Sequence, residues 1–250
     1  MKRLIPFIAL AIVLAGAPAW AADATATLDA MSAYVWRGVT FNDSPVLQPS
    51  LDVSKNGFGA NVWANYDLDE YYDDTPDDNE FSEIDLTLYY GFKVSELEVT
   101  VGVIQYLFPA GIPSTREVYG SLSYPLFGGL SAGFDFYYDF DMVDSYYTDL
   151  GLTYAMELMD KLNMEVGAKI GYAGENFAEY NSGGTEDGFY DCTISGSLTY
   201  ALAEGLNAGV KLAYTESLDD DVLADFDPAN GVPYGHDVEF YGGLTVSYAF

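Results

Sequence analysis

Residues 238–250 read V-E-F-Y-G-G-L-T-V-S-Y-A-F. Taken alternately, Val238, Phe240, Gly242, Leu244, Val246, Tyr248 and Phe250 form one row. Glu239, Tyr241, Gly243, Thr245, Ser247 and Ala249 form the other. Successive side chains of a strand point to opposite faces, so this strand has one apolar face and one small or polar face. A long strand with an apolar face aggregates in water. In a bilayer the same strand is useful, because a spanning β-strand needs about 9–11 residues and must belong to a closed barrel.

The pattern recurs upstream. Residues 24–38 read as a first strand, with Leu28, Tyr34 and Trp36 on one row and Thr25, Thr27, Asp29 and Arg37 on the other. Residues 45–55 follow, and Asn56-Gly57 is the two-residue signature of a tight hairpin. Alternation continues through residues 58–66, 83–90, 97–103, 117–124, 130–139, 149–157, 162–172, 191–200 and 206–215. It falters at Ile104, which suggests a bulge. About twelve strands result, an even number as a single-chain bacterial barrel requires. Connections alternate in length: short ones at Asn56, Ser95, Gly128, Asp160 and Glu204, longer and mostly acidic ones between. That is the asymmetry of periplasmic turns and outer loops, and it places both termini on the short-turn side.

Aromatic and basic residues are sorted by depth. The apolar row carries Tyr90, Tyr124, Tyr154, Tyr200 and Tyr248 near the short turns. Near the long loops it carries Trp36, Tyr66, Tyr138, Tyr172, Tyr214 and Phe240. Two such girdles match two headgroup layers. Lys169 and Lys211 lie on the polar row, whereas Lys55, Lys93 and Lys161 lie at or near turns. Arg116 has apolar parity but sits at an outer strand end. A secreted sandwich with the apolar row inside is the competing all-β architecture; it explains the alternation but not this sorting.

Residues 1–21 read as an export signal: Lys2 and Arg3, an apolar run over 4–16, then Ala19-Trp20-Ala21 as a cleavage site. The run is too short for a membrane anchor. Residues 22–250 then form the barrel. Without Lys2 and Arg3, 7 basic residues (9 − 2) face 39 acidic ones, a net charge of −32. This opposes nucleic-acid binding. Half the residues are hydrophobic, which separates the chain from acidic disordered sequences. The single cysteine, Cys192, falls on the apolar row and reads as a small hydrophobe.

Within residues 32–66, the run Tyr34-Val35-Trp36-Arg37-Gly38, the Pro45 and Gln48 segment, and Gly57-Phe58 followed by Trp63 resemble the opening of the TorF family of porin-like proteins. The resemblance covers the first strands only. It implies an outer-membrane barrel and passive transport, and it supplies no substrate or catalytic residue. The terminal Phe250 likewise resembles the sorting signal read by the outer-membrane assembly machinery.

With the apolar row against lipid, the polar row lines a lumen. Its candidate lining residues are Asp29, Asp52, Glu83, Asp85, Glu98, Glu117, Asp135, Asp149, Glu165, Asp191 and Glu239, with Arg37, Lys169 and Lys211 as the few cations; Asp139 and Glu157 share the row. Arg37-Gly38 reads as the outer end of the first strand. Rings of carboxylates favour cations, so the expectation is a narrow diffusion channel for cationic or neutral polar solutes. The alternative is a plugged, non-conducting barrel in which carboxylates pair with Lys169, Lys211 and tyrosines. An outer-wall lipid hydrolase would need a serine and a base. The only histidine, His236, reads as a solvated loop residue with no serine motif beside it, so no enzyme and no cofactor is expected. The acidic loops at 67–80, 186–187 and 219–221 offer oxygen donors for Ca²⁺ or Mg²⁺ bridging to lipopolysaccharide, but without a recognised calcium-loop spacing. Membrane lipid is the expected surround.

Overall fold

The structure is a computed structural model that describes residues 22–69, 79–109, 111, 113–227, 229 and 234–250. The expected export signal and residues 70–78 of the first acidic loop lie outside the described residues. The elements are β1 (Asp23–Met31), β2 (Tyr34–Trp36), β3 (Val39–Asn42), β4 (Val46–Lys55), β5 (Phe58–Asp67), β6 (Phe81–Val94), β7 (Leu97–Leu107), β8 (Thr115–Phe127), β9 (Leu130–Asp139), β10 (Ser145–Met159), β11 (Leu162–Ala173), α1 (Glu175–Ser182), β12 (Gly188–Ala203), β13 (Leu206–Ser217) and β14 (Phe240–Ala249).

Twelve of these strands, β1 and β4 to β14, close into one antiparallel barrel in which each strand pairs with its neighbours in the chain and β1 pairs with β14. At the seam Leu28 lies opposite Val246 and Asp29 opposite Thr245. Phe250 donates its N–H to the Ala24 carbonyl at 2.9 Å, and Ala24 donates back to Phe250 at 3.2 Å. The barrel wall has no free strand edge, as hydrocarbon demands. The five short turns fall at the expected places. Asn56 and Gly57 both have positive φ (52° and 87°), the mirror-image turn that matches strand twist.

The rows face as the alternation requires. Leu88, Leu150, Ile194 and Leu244 stand about 53–62% exposed on the outer wall, an apolar band that only lipid satisfies. Tyr90, Tyr124, Tyr154, Tyr200 and Tyr248 are exposed near the short turns. Cys192 is half-exposed opposite Ile170 on the same wall. A two-layered sandwich is thereby ruled out.

Four expectations are corrected. First, the opening strand ends at Met31 rather than Gly38. Residues 34–42 leave the wall and form a separate hairpin, β2 with β3. Tyr34 is buried, and Trp36 packs against Phe177 and Tyr106 instead of joining the outer girdle. Second, Ile104 marks no bulge. Pairing is continuous through it on both sides, to Thr87 and to Glu117. The alternation falters there because Ile104 and Tyr106 are apolar residues on the lumen side. A shift in register occurs instead in β12, between the partners of Ile170 and Tyr172, and it brings Tyr190 and Asp191 both to full burial. Third, the connection after β11 is not simply a polar loop: α1 forms there, closed by Gly183 in the left-handed conformation. Its buried Phe177 and Ala178 join Val39, Val143, Tyr147, Tyr190, Val222 and Leu223 in a hydrophobic core. Fourth, His236 is buried, not solvated: its Nε2 lies 3.4 Å from the Thr215 carbonyl and its Nδ1 3.7 Å from Asp225.

The core thus sits inside the barrel at its long-loop end, built from loops and from inward side chains of the wall strands β10, β11 and β12. Gly171 shows how closely it is fitted. A Cβ there would meet Asp191 Oδ1 at 2.2 Å and the Tyr147 hydroxyl at 2.5 Å.

The facing assignment sets unequal costs for a charge. Leu152→Lys, mid-strand on the outer wall of β10, should lose about 2–4 kcal/mol in reversible unfolding from lipid. Thr153→Lys, one residue on and facing the lumen, should lose much less. Equal losses would mean the faces are misassigned.

Candidate functional site

The site is built around the tip of the β2–β3 hairpin. Trp36 pairs with Val39, which leaves Arg37 and Gly38 as a two-residue turn with φ of 49° and 81°. Both positive values are what a mirror-image turn needs. Glycine is required twice over at residue 38, since a Cβ would lie 2.7 Å from Leu223 Cδ2 and 2.8 Å from Asp191 Cβ.

This turn carries Arg37 into the barrel rather than to its outer rim. Its Nη1 and Nη2 donate to Glu117 Oε1 and Oε2, both at 2.8 Å, a bidentate pair with both side chains buried. The guanidinium carbon lies 4.1 Å from the ring centres of Trp36 and Tyr137 and 4.8 Å from that of Tyr147. Such stacking suits the planar, weakly hydrated guanidinium. The Tyr106 hydroxyl donates to Glu117 Oε2 at 2.8 Å. Burial alone would disfavour the Arg37 charge; the Glu117 carboxylate outweighs it and lifts the group above its ordinary pKa. Tyr34 donates to Glu83 at 2.8 Å. Its burial, with Glu83 and Asp85 close by, pushes its phenol well above the usual range, so it stays a donor.

The last loop pins the hairpin from above. Thr40 donates its N–H to the Gly235 carbonyl at 2.8 Å, and Val238 donates to Thr40 Oγ1 at 3.0 Å. Asn42 donates to Asp67 at 2.8 Å.

The other candidate lining residues divide by depth. Glu83, Glu117, Asp149 and Asp191 are buried in the long-loop half, as is Asp139. Asp191 accepts from Tyr147 at 2.7 Å, and Asp139 accepts from Thr115 and from the amides of residues 141–143. Asp149 takes Lys169 at 3.4 Å, and Asp29 takes Lys211 at 2.7 Å. Asp52 accepts from Tyr89 at 2.9 Å. Asp135 is half-buried opposite Asp149. Glu98 and Glu165 are exposed toward the short turns, where Glu98 pairs with Lys93; Glu239 is exposed at the opposite end. Hence the lumen is wet at one end and packed at the other.

The hairpin separates three cavities. An outer one of about 300 Å³ is walled by Phe41, Phe108, Phe177, Tyr180 and Tyr234. Two lie on the other side, about 480 and 230 Å³, and share Val35, Trp36, Trp63, Asp85 and Tyr241. Trp36 touches all three. Among the described residues no group of three His, Cys, Asp or Glu side chains is placed to hold a metal ion.

Sequence reading missed Tyr106, Phe177, Tyr147 and Tyr190. A signal for a packed interior existed: Trp63, Tyr89, Tyr119, Tyr137 and Tyr241 all fall on the polar row, and aromatic rings facing a lumen need something to pack on. Tyr119 and Tyr137 stack at 5.7 Å, and Tyr137 meets Tyr147 at 6.4 Å.

A family model described as a bacterial protein of unknown function (Gcw_chp) matches residues 15–217. No curated protein shows a significant sequence match. Among solved structures, the KdgM porin in complex with disordered oligogalacturonate is similar in fold, with 11% identity, 91% of this chain and 99% of that chain covered, and a TM-score of 0.54. The NanC porin gives 11%, 91% and 98%, with a TM-score of 0.51. The COG4313 outer membrane channel from Pseudomonas putida F1 gives 8%, 92% and 95%, with a TM-score of 0.54. The fold of this barrel is therefore the one seen in these outer-membrane porins and channels.

Replacing Glu117 with Gln strands a buried guanidinium, which typically costs about 3–5 kcal/mol. The hairpin should then leave the lumen, and trypsin should cut after Arg37 in the folded variant while sparing that bond in the wild type. The double variant R37Q/E117Q should be about as stable as the wild type, because no charge is left unpaired. Protection of Arg37 in E117Q would show that other contacts hold the hairpin.

Proposed function

The chain belongs to the Gcw_chp family, and on that premise we propose that it is a constricted outer-membrane channel for small cationic or neutral polar solutes. The observation that carries this reading is the charge arrangement of the lumen. Arg37, Lys93, Lys169 and Lys211 each face a carboxylate of their own, while Glu83, Asp85, Asp135 and Glu165 share the same wall without a lumen cation among the described residues. Unbalanced carboxylates in a narrow passage raise cation occupancy and exclude anions. An oligogalacturonate, named with the KdgM structure, carries a carboxylate on each sugar. The lumen here has no spare cation among the described residues to receive one.

The hairpin fits this reading as the constriction, with Trp36 as the partition between outer and inner cavities. The resemblance of residues 32–66 to the TorF family supports the same role. In this reading residues 1–21 export the chain, the strand ending at Phe250 engages the assembly machinery, and lipid and lipopolysaccharide surround the wall. The barrel performs no catalysis. The filled long-loop end favours one second reading, a non-conducting structural barrel.

Planar-bilayer recording under a salt gradient separates the two. The expected result is a small conductance with a reversal potential on the cation side, enlarged in R37Q/E117Q, where the hairpin is no longer tied to Glu117. Anion preference refutes the selectivity. Silence in both proteins refutes the channel and leaves the structural barrel.

A further inference from the structure

We propose that the inner cavities form a binding site for a small organic ammonium ion, held by Asp85 and the rings of Trp36, Trp63 and Tyr241. This deepens the channel reading and rests on it only for the route by which the ion arrives.

Asp85 stands on β6 directly opposite Trp63 on β5, and both line the two cavities under the hairpin. Its Oδ1 is buried and accepts no hydrogen bond. A buried carboxylate oxygen without a donor is costly, so an acceptor left unfilled on a residue that lines a cavity marks the place of a missing donor. No cation nearby supplies one. Arg37 lines the larger cavity but spends both terminal nitrogens on Glu117. Lys169 is committed to Asp149. Glu83 accepts from Tyr34 and meets Asp85 carboxyl to carboxyl, a contact that one shared proton bridges, so the two carry one negative charge between them with no cation to answer it. The other buried acceptor without a bond, Asp29 Oδ1, differs because its second oxygen already holds Lys211.

The rest of the wall selects the kind of donor. Metal ions want several oxygen ligands, and one carboxylate oxygen among indole and phenol rings does not provide them. Aromatic faces around a single negative group suit an ammonium carrying carbon, whose charge is attracted by the rings and whose methyl or methylene groups displace water from them. The space suits a small body: the smaller cavity is about 230 Å³ and the larger about 480 Å³.

The chain contains three tryptophans, Trp20, Trp36 and Trp63. In protein lacking residues 1–21 the tryptophan emission, excited selectively over tyrosine, therefore comes only from the two that line the proposed site. Choline, titrated into this protein folded in detergent, should change that emission saturably. Its uncharged carbon isostere should not. In Asp85→Asn the choline affinity should fall at least tenfold, while Asp29→Asn should retain it, with circular dichroism establishing that each variant is folded. An equal response to the uncharged isostere, or unchanged affinity in Asp85→Asn, overturns the site. No emission change accompanied by no binding of choline in equilibrium dialysis does so too. Binding is read without conduction, so a failure here leaves the channel reading standing. A silent bilayer recording, in turn, leaves this site standing.

Discussion

A backbone amide in hydrocarbon has nothing to bond with except another part of the chain. The whole architecture answers to that constraint. Each wall strand pairs on both sides, and the first and last strands meet along seven residue pairs from Thr25 with Ala249 to Met31 with Gly243. Closure fixes an inside and an outside. Period-two alternation then assigns every side chain to lipid or lumen, so that one run of sequence specifies two opposed solvents.

Closure also creates a second problem. A twelve-strand cylinder encloses more space than its own lumen-facing side chains fill. This chain fills part of it with its loops. The hairpin of residues 34–42 enters from the long-loop end, α1 lies against it through Phe177, and the final loop ties it through Thr40. The ion pair between Arg37 and Glu117 joins this insertion to the wall. Its role is placement more than net stability, since a buried pair gives back in desolvation much of what it gains in attraction. The stacked rings of Trp36, Tyr137 and Tyr147 complete the fit. Function follows from the same packing: it leaves narrow cavities instead of an open bore, and beside them it leaves Asp85 without a cation.

The site was half legible. Wall carboxylates such as Glu83, Asp85, Glu117 and Asp149 announce their facing by parity alone, because parity is local and a strand cannot evade it. Lys169 and Lys211 were readable for the same reason. Arg37 was readable as a lumen residue only in part: parity put it on the polar row, but of a strand that does not exist at that position. Its turn resembles the Asn56-Gly57 turn in geometry, yet arginine is an uncommon residue at positive φ, so the dipeptide gives little warning. The contribution of α1 was hidden because an eight-residue helix has too few turns to show a periodicity, and its helical state depends on the burial of Phe177 and Ala178 against loops far away in the chain.

What the sequence determined alone is the wall: strand count, turn positions, which face meets lipid, and where the aromatic belts lie. Those properties depend on residue type and spacing of two, and neighbouring strands enforce them through backbone pairing. What only the tertiary structure decided is the interior. Whether residues 34–42 continue a strand or fold back through a turn depends on partners up to two hundred positions distant, such as Gly235 and Val238. Local pattern carries no term for such contacts, because they exist only once the cylinder has closed around them.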